Sequence, residues 1–232
     1  MPFRLEGPLA AVVFDMDGTL LDTEAVYRDA MVEVSARMGV AMDDALHLSL
    51  IGQPGEVGDR LLRAAHGEAF DTAAFRDAVH AWFEAPGRTA APLKPGALEL
   101  LQDLRARRIG VGLATSTRRV IALRRLEQAG LLDLMDHVVT RTDVTHGKPH
   151  PESYLAAAAG LGVAVAHCVA VEDSHTGVRS AAASGMRTIM VPDLLPATDE
   201  MRALCAGVIP DLTVLLAALQ DAAGPGIARD GP

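Results

Sequence analysis

Residues 9–14, Leu-Ala-Ala-Val-Val-Phe, are apolar without a break and run into an acidic cluster. A short unbroken run with β-branched members fits a strand covered on both faces, as in a parallel sheet. From 23 to 38 the period changes. Ala25, Val26, Ala30, Val34 and Met38 fall near one face of a helix, and Gly39 is a stop. Residues 56–65 and 72–84 read as two more helices, with no strand between them. Three prolines and two glycines then fall between Pro86 and Gly96, the texture of a linker. Beyond it the pattern alternates. Helices are predicted over 96–107, 118–129, 151–161, 177–183 and 212–222, and strands over 109–114, 137–140, 168–171 and 188–191.

Repeated β-α-β units predict an α/β fold: a Rossmann-like parallel sheet with helices on both faces. The first strand belongs to that sheet, so the helical stretch after it is an insertion, an α-helical cap. The expected division is a catalytic core from 1–22 and 93–222, a cap with its linkers over 23–92, and a Gly/Pro-rich tail at 223–232 whose composition predicts disorder. The stretches near 20–23 and 86–95 would be the hinges. The alanine runs at 157–159 and 181–183 read as helix packing faces.

Composition narrows the function. Half of the 232 residues are hydrophobic and 22% are charged, which is globular, and aromatics at 3% leave the core to Ala, Leu and Val. A net charge of −9 excludes a nucleic-acid partner, because phosphate backbones need clustered Lys and Arg. It leaves room for a small phosphorylated metabolite, since one lysine and a metal ion can reverse the field locally. Cys168 and Cys205 have no CxxC spacing and read as reduced interior thiols, consistent with a cytoplasmic protein. The first eight residues have no long apolar run, and the run at 9–14 stops at Asp15, so neither a signal peptide nor a membrane span is expected. A monomer or small homo-oligomer is expected.

In open α/β sheets, ligands bind beyond the C-terminal ends of the strands. The first predicted strand is followed by Asp15-Met16-Asp17-Gly18-Thr19-Leu20-Leu21-Asp22-Thr23-Glu24 and the second by Thr115-Ser116-Thr117. Near the third lies Gly147-Lys148-Pro149, and Glu172-Asp173-Ser174 comes after the fourth. Acidic clusters and hydroxyls are common on solvated loops and at helix N-caps, and one of residues 115–117 is expected to cap the next helix as well. Four strand ends carrying this set in order is a more specific signal than any one of them. His146, His150 and His175 flank the set and read as solvent-facing or hydrogen-bonded loop histidines. Trp82 and Phe83 read as a cap packing face.

From Leu9 to about residue 222, these motifs resemble the haloacid dehalogenase-like hydrolases in their phosphatase branch. The resemblance implies a phosphatase acting on a small phosphomonoester of sugar or polyol type. Asp15 stands at the family's nucleophile, which forms an aspartyl-phosphate. Asp17 matches the general acid/base. Thr115 and Ser116 would hold a phosphate oxygen, and Lys148 would bridge Asp15 and the phosphate. Mg2+ is the implied cofactor. Its ligands would be the Asp15 carboxylate, the Asp17 carbonyl and Asp173, with Glu172 ligating directly or through water and Ser174 supporting the loop. Cap residues Glu24, Tyr27 and Gln53, with Arg60, would face the substrate.

Three rival activities leave traces of their own. A sugar-phosphate mutase similar to β-phosphoglucomutase would carry a His where Tyr27 stands, and an Arg in the cap loop at 51–56, which has none. A dehalogenase would lack Asp17 and the Glu172-Asp173 pair, and a phosphonate hydrolase would use a cap lysine, absent between Glu24 and Leu93. A non-catalytic phospholigand-binding module on this fold would be expected to have lost Asp15 or Asp17.

Overall fold

The computed structural model describes residues 3–5, 7–50, 55–85 and 91–222, with backbone only at 24, 25, 55, 80 and 84. The chain divides into two compact units, one drawn from Met1–Asp22 and Pro92–Pro232 and the other from Thr23–Ala91. In chain order the elements are β1 (Ala11–Phe14), α1 (Thr23–Arg37), α2 (Asp44–Leu50), α3 (Gly55–His66), α4 (Thr72–Glu84), α5 (Ala97–Ala106), β2 (Gly110–Ala114), α6 (Arg119–Gln128), β3 (His137–Val139) and α7 (Glu152–Leu161). They continue with β4 (Cys168–Glu172), α8 (His175–Ala183), β5 (Arg187–Met190), α9 (Asp199–Leu204), β6 (Gly207–Val208) and α10 (Leu212–Ala222).

The first unit is built on a six-stranded sheet of order β3-β2-β1-β4-β5-β6, with every neighbouring pair parallel. Central β1 pairs on one side with β2 (Val12 opposite Val111) and on the other with β4 (Val12 opposite Val169). All four β1 residues are fully buried, which is why the sequence shows a continuous apolar run in place of alternation. Ala157 and Ala158 of α7 and Ala181 of α8 pack with Ala11, Val13 and Ala170 of the sheet, while Ala159 and Ala183 at the ends of the two alanine runs are exposed. The order of the strands reverses around β1 and β4, and that switch point is where an open α/β sheet opens a crevice at its C-terminal edge.

The chain leaves and re-enters this unit through two adjacent strands of backbone. Leu21 bridges Leu93 antiparallel, Asp22 N–H donates to Pro92 O at 2.8 Å, and Lys94 N–H to Leu20 O at 2.9 Å. Of the expected linker, residues 86–90 lie outside the described residues, as does the tail at 223–232.

The second unit is helical. Ala30, Met31, Val34, Met42, Leu62, Phe75, Val79 and Trp82 form its core. Trp82 buries its ring and donates Nε1–H to Glu33 Oε2 at 2.6 Å, while Tyr27 stacks on Phe83 with centroids 5.5 Å apart. Among the described residues, no helix is long and apolar enough to cross a membrane. Cys168 is buried and Cys205 half-buried, and neither forms a disulfide.

Three elements carry too little periodicity to be predicted. Helix α2 spans seven residues and starts where Asp43 Oδ1 accepts the Leu46 N–H at 2.8 Å. Helix α9 has six residues, capped by Thr198 through the Met201 N–H. Strand β6 has two residues at the sheet edge. Helix α8 begins two residues earlier than its apolar pattern because Ser174 caps it, accepting the Gly177 N–H.

Trp82 is the largest side chain in the core of the second unit. Replacing it by Ala is expected to cost about 3–5 kcal/mol. Trp82→Phe, which keeps most of the apolar volume, is expected to cost less than Trp82→Ala. Urea unfolding followed by far-ultraviolet circular dichroism reads both, since the chain has no other tryptophan to report by fluorescence.

Candidate active site

The C-terminal end of β1 sets the first part of the site. Asp15 continues the strand, donating its N–H to Val171 O at 2.9 Å, and is 7% exposed. The chain then turns back sharply. Leu20 and Leu21 N–H both reach Met16 O, and Gly18 N–H reaches Leu21 O at 2.8 Å. Gly18 takes φ +86°, which favours glycine, and it has a second reason to lack a side chain. A Cβ there would stand 2.5 Å from Asp173 Oδ2 and 3.2 Å from Asp193 Oδ2. The Asp173 carboxylate thus lies where a side chain at position 18 would be, with that of Asp193 beside it.

Lys148 comes from the loop before α7. Its ammonium donates to Asp15 Oδ1 and to Glu172 Oε1, both at 2.5 Å, and its side chain is 6% exposed. The loop is tied to α7 by Glu152, whose carboxylate accepts the N–H groups of Thr145 (2.7 Å) and His146 (2.9 Å). Those bonds hold the Glu152 carboxyl down to about 2.

Glu172, at the end of β4, is surrounded by donors. Oε1 accepts from Lys148 and from the Tyr154 hydroxyl (3.1 Å). Oε2 accepts from Asp173 N–H, Ser174 N–H and the Ser174 hydroxyl, each at 3.0 Å. The pocket for this carboxylate exists because residue 177 is glycine: a Cβ there would lie 1.7 Å from Glu172 Oε1. Both Glu172 oxygens are thus engaged by protein donors.

The remaining expected residues fall around this centre. Asp173 Oδ1 accepts the Thr19 hydroxyl at 3.0 Å. Asp17 Oδ1 pairs with Arg125 at 2.6 Å and Oδ2 accepts the Thr117 hydroxyl at 2.6 Å. Thr115 is buried at the end of β2 and Ser116 is exposed. The expected hydroxyl cap of α6 is not found. The helix begins at Arg119, one residue later than predicted, with Arg118 at the cap position making no side-chain bond. The hydroxyls serve the loop itself, Thr115 Oγ1 accepting the Thr117 N–H at 3.0 Å. Of the cap residues, Tyr27 is partly exposed, while Glu24's side chain and all of Gln53 lie outside what is described.

The electrostatics point one way. Burial, with Glu172 and Asp17 nearby, outweighs Lys148 and pushes the Asp15 carboxyl up to about 8. Burial, Glu172 and Asp15 likewise push Asp173 well above the carboxylate range. Lys148 is drawn down by burial but held well above its usual value by Asp15 and Glu172. The cluster thus carries more buried carboxylate than one ammonium can balance. Asp193 Oδ2, close beside Gly18, is buried without a hydrogen-bond partner among the described residues. An oxygen-rich, anionic cradle with an orphaned carboxylate oxygen fits a hard divalent cation.

Three residues here were not read from the sequence. Asp193 lies just past β5, and a lone acid at a fifth strand end was the only signal that could have marked it; Lys94 pairs with it at 2.7 Å. Tyr154, in the first turn of α7, and Arg125, well inside α6, have no motif to mark them.

The chain thus has a doubly wound α/β fold with buried carboxylates and one ammonium gathered at the C-terminal ends of its strands. Residues 9–185 match the sequence profile of the haloacid dehalogenase-like hydrolases, and the chain belongs to that family. It is 35% identical over 184 residues to the phosphorylated carbohydrates phosphatase of Thermotoga maritima, covering 78% of this chain and 84% of the relative. It is 34% identical over 176 residues to the validoxylamine A 7'-phosphate phosphatase of Streptomyces hygroscopicus subsp. limoneus, covering 75% and 81%. A family hydrolase from Deinococcus radiodurans R1, with bound phosphate and sodium, superposes with a TM-score of 0.80 at 29% identity over 94% of this chain and 97% of that one. The chain is a hydrolase in the phosphatase branch of the family.

Two outcomes test the geometry. Gly177→Ala is expected to lower stability by about 1–3 kcal/mol through overpacking against Glu172, measured by chemical denaturation. The Glu152 carboxyl is lowered from 4.5 to about 2, so its contribution is present above pH 4.5 and is lost as pH falls toward 2. The urea midpoint of wild type should exceed that of Glu152→Gln at neutral pH, and the gap should close on acidification through that window.

Proposed function

We propose that the protein hydrolyses a small phosphomonoester of sugar or polyol type, with Asp15 as nucleophile. One observation carries the reading. Asp15, at the end of the central strand, holds Lys148 on Oδ1 at 2.5 Å, and Lys148 is shared with Glu172 at 2.5 Å. An ammonium so fixed orients the nucleophile and supplies positive charge for a phosphate oxygen.

In the first half-reaction the Asp15 oxygen not held by Lys148 attacks phosphorus. The bond from phosphorus to the substrate's ester oxygen breaks, and Asp17 gives that oxygen a proton. In the second, Asp17 takes a proton from water as the water attacks the phosphorus of the aspartyl-phosphate. Inorganic phosphate leaves and the Asp15 carboxylate is restored. Thr115 and Ser116 are assigned to the phosphate oxygens, with the N-terminal end of α6 close by in sequence. Asp15, the Asp17 carbonyl and Asp173 would hold Mg2+, with Glu172 behind them. Bound there, Mg2+ supplies the charge that lets a carboxylate approach a phosphate. Asp17 serves this cycle by releasing the bonds it makes to Arg125 and Thr117.

Substrate selection is assigned to Glu24, Tyr27 and Gln53. Tyr27 in place of the mutase histidine favours transfer to water over transfer to a second sugar hydroxyl. The carbohydrate-phosphate relatives support the substrate class.

The test is phosphate release from a panel of sugar phosphates, polyol phosphates, phosphoglycolate and nucleotide monophosphates. Turnover should require Mg2+ and stop on chelation. Asp15→Asn should lose at least about a thousandfold in kcat with the fold retained, and Asp17→Asn about a hundred- to ten-thousandfold. Wild-type turnover in Asp15→Asn would sink the nucleophile assignment.

A further inference from the structure

The loop that carries Lys148 holds a second group of donor atoms with no part in the chemistry above. His146 and His150 lie two residues to either side of Lys148, and Glu152 opens α7. The two imidazole rings are 4.7 Å apart between centroids. His146 Nδ1 is 3.0 Å from Glu152 Oε2, and His150 Nδ1 is 3.9 Å from the same oxygen. One ligand atom from each residue lies within 4.8 Å of the others. The histidine side chains are 64% and 52% exposed, so ions in solution can reach them.

We propose that His146, His150 and Glu152 form a site for a borderline-soft divalent ion of the Zn2+, Ni2+ or Cu2+ class, distinct from the cation cradle at Asp15. Two imidazoles and a carboxylate are a three-donor set that leaves a fourth position to water. Metal bonds of about 2.0–2.1 Å at tetrahedral angles set donors about 3.3 Å apart. The observed 3.0 and 3.9 Å to Glu152 bracket that spacing, and side-chain rotations that draw in a donor set already within 4.8 Å close the site. The carboxylate is already oriented, because the Thr145 and His146 N–H groups hold its two oxygens, the kind of outer contact that fixes a metal ligand. Ion binding replaces the contact between His146 Nδ1 and Glu152, leaving the His146 proton on Nε2. It also displaces the 3.3 Å bond from the Glu152 N–H to His150 Nδ1. Mg2+ prefers six oxygens in near-octahedral array and is a poor fit to this donor set. An ion here would strap together the two flanks of Lys148. Nothing in the geometry of these three residues depends on the role proposed for Asp15.

The experiment uses the full chain with any affinity tag removed and metal stripped by chelation. Zn2+ is titrated against a chromogenic competitor in excess Mg2+, which occupies the Asp15 cradle. Wild type should bind one equivalent that the double variant His146→Ala/His150→Ala does not. Each single substitution should weaken binding by about tenfold or more, the scale on which even outer contacts of metal sites act. Co2+ should give visible absorption of a four-coordinate ion in wild type and lose it in the double variant. Equal Zn2+ binding by wild type and double variant, or identical Co2+ spectra, would overturn the proposal. Circular dichroism of the histidine variants, altered only at exposed positions, verifies that a loss is of ligands and not of fold.

Discussion

A buried ammonium gripped by two carboxylates is the constraint around which the first unit is arranged. Lys148 brings its charge to a place where its side chain is almost wholly enclosed, and it is tolerated there only because Asp15 and Glu172 meet it at 2.5 Å. Removing one partner of such a group leaves an uncompensated buried charge, at a cost of about 3–5 kcal/mol. The demand spreads outward. Glu172 must in turn be satisfied, so α7 supplies the Tyr154 hydroxyl, the start of α8 supplies Ser174 and two backbone N–H groups, and Gly177 leaves out the side chain that would fill the space. Tyr154 serves twice, since its ring also lies 5.0 Å from the Lys148 ammonium, within the range of cation–π attraction. Two strand ends, two helices and a loop are thereby tied to a single charge.

How much could be read in the sequence depends on how far each signal reaches along the chain. The apolar run of β1 and the acids after it are local, so strand and nucleophile candidate were both visible. Lys148 was visible only through its order among the strand ends, because nothing near it in sequence says that it faces Asp15, 133 positions away. Tyr154 and Gly177 were not visible at all. On the sequence Tyr154 is one apolar-face residue of a helix and Gly177 a small residue in another, and their tasks arise only when β4 brings Glu172 between them. Arg125 escaped for the same reason, its partner Asp17 being 108 positions away. The short elements α2, α9 and β6 had no period to detect. Their ends are set by single side chains such as Asp43 and Thr198.

The same distinction separates the two roles of Glu172. Its position beside Asp173 made it a candidate metal ligand by motif. The donors around it argue for a different service: it fixes Lys148 on one oxygen and shapes the Asp173-Ser174 loop with the other. An acid that organises a cation site from behind is as indispensable as one that touches the ion, and substitution data alone would not tell the two apart. Asp193 is the more telling acid in this respect, because one of its oxygens is buried beside Gly18 without a partner among the described residues. Burial of an unpaired polar atom is unfavourable, and a cation with its bound water is the simplest group that would satisfy it.

Asp15 and Asp17 are two residues apart and are given opposite surroundings. Asp15 is sealed among carboxylates with only Lys148 to balance it, which suits a nucleophile whose charge is spent on phosphorus. Asp17 is more open, and both its oxygens are held by side chains of the β2–α6 region, Thr117 and Arg125. An acid/base must exchange a proton with the leaving oxygen and then with water, so it needs to alternate between partners, and a pairing at the margin of the site permits this where a buried one would not. The alternation of side chains along extended backbone sends neighbours i and i+2 to the same side, but the turn at Gly18 begins between them and breaks that rule. In the cycle proposed above, a turn that starts at Met16 lets one short motif offer a phosphate two carboxylates with different partners, and so with different work.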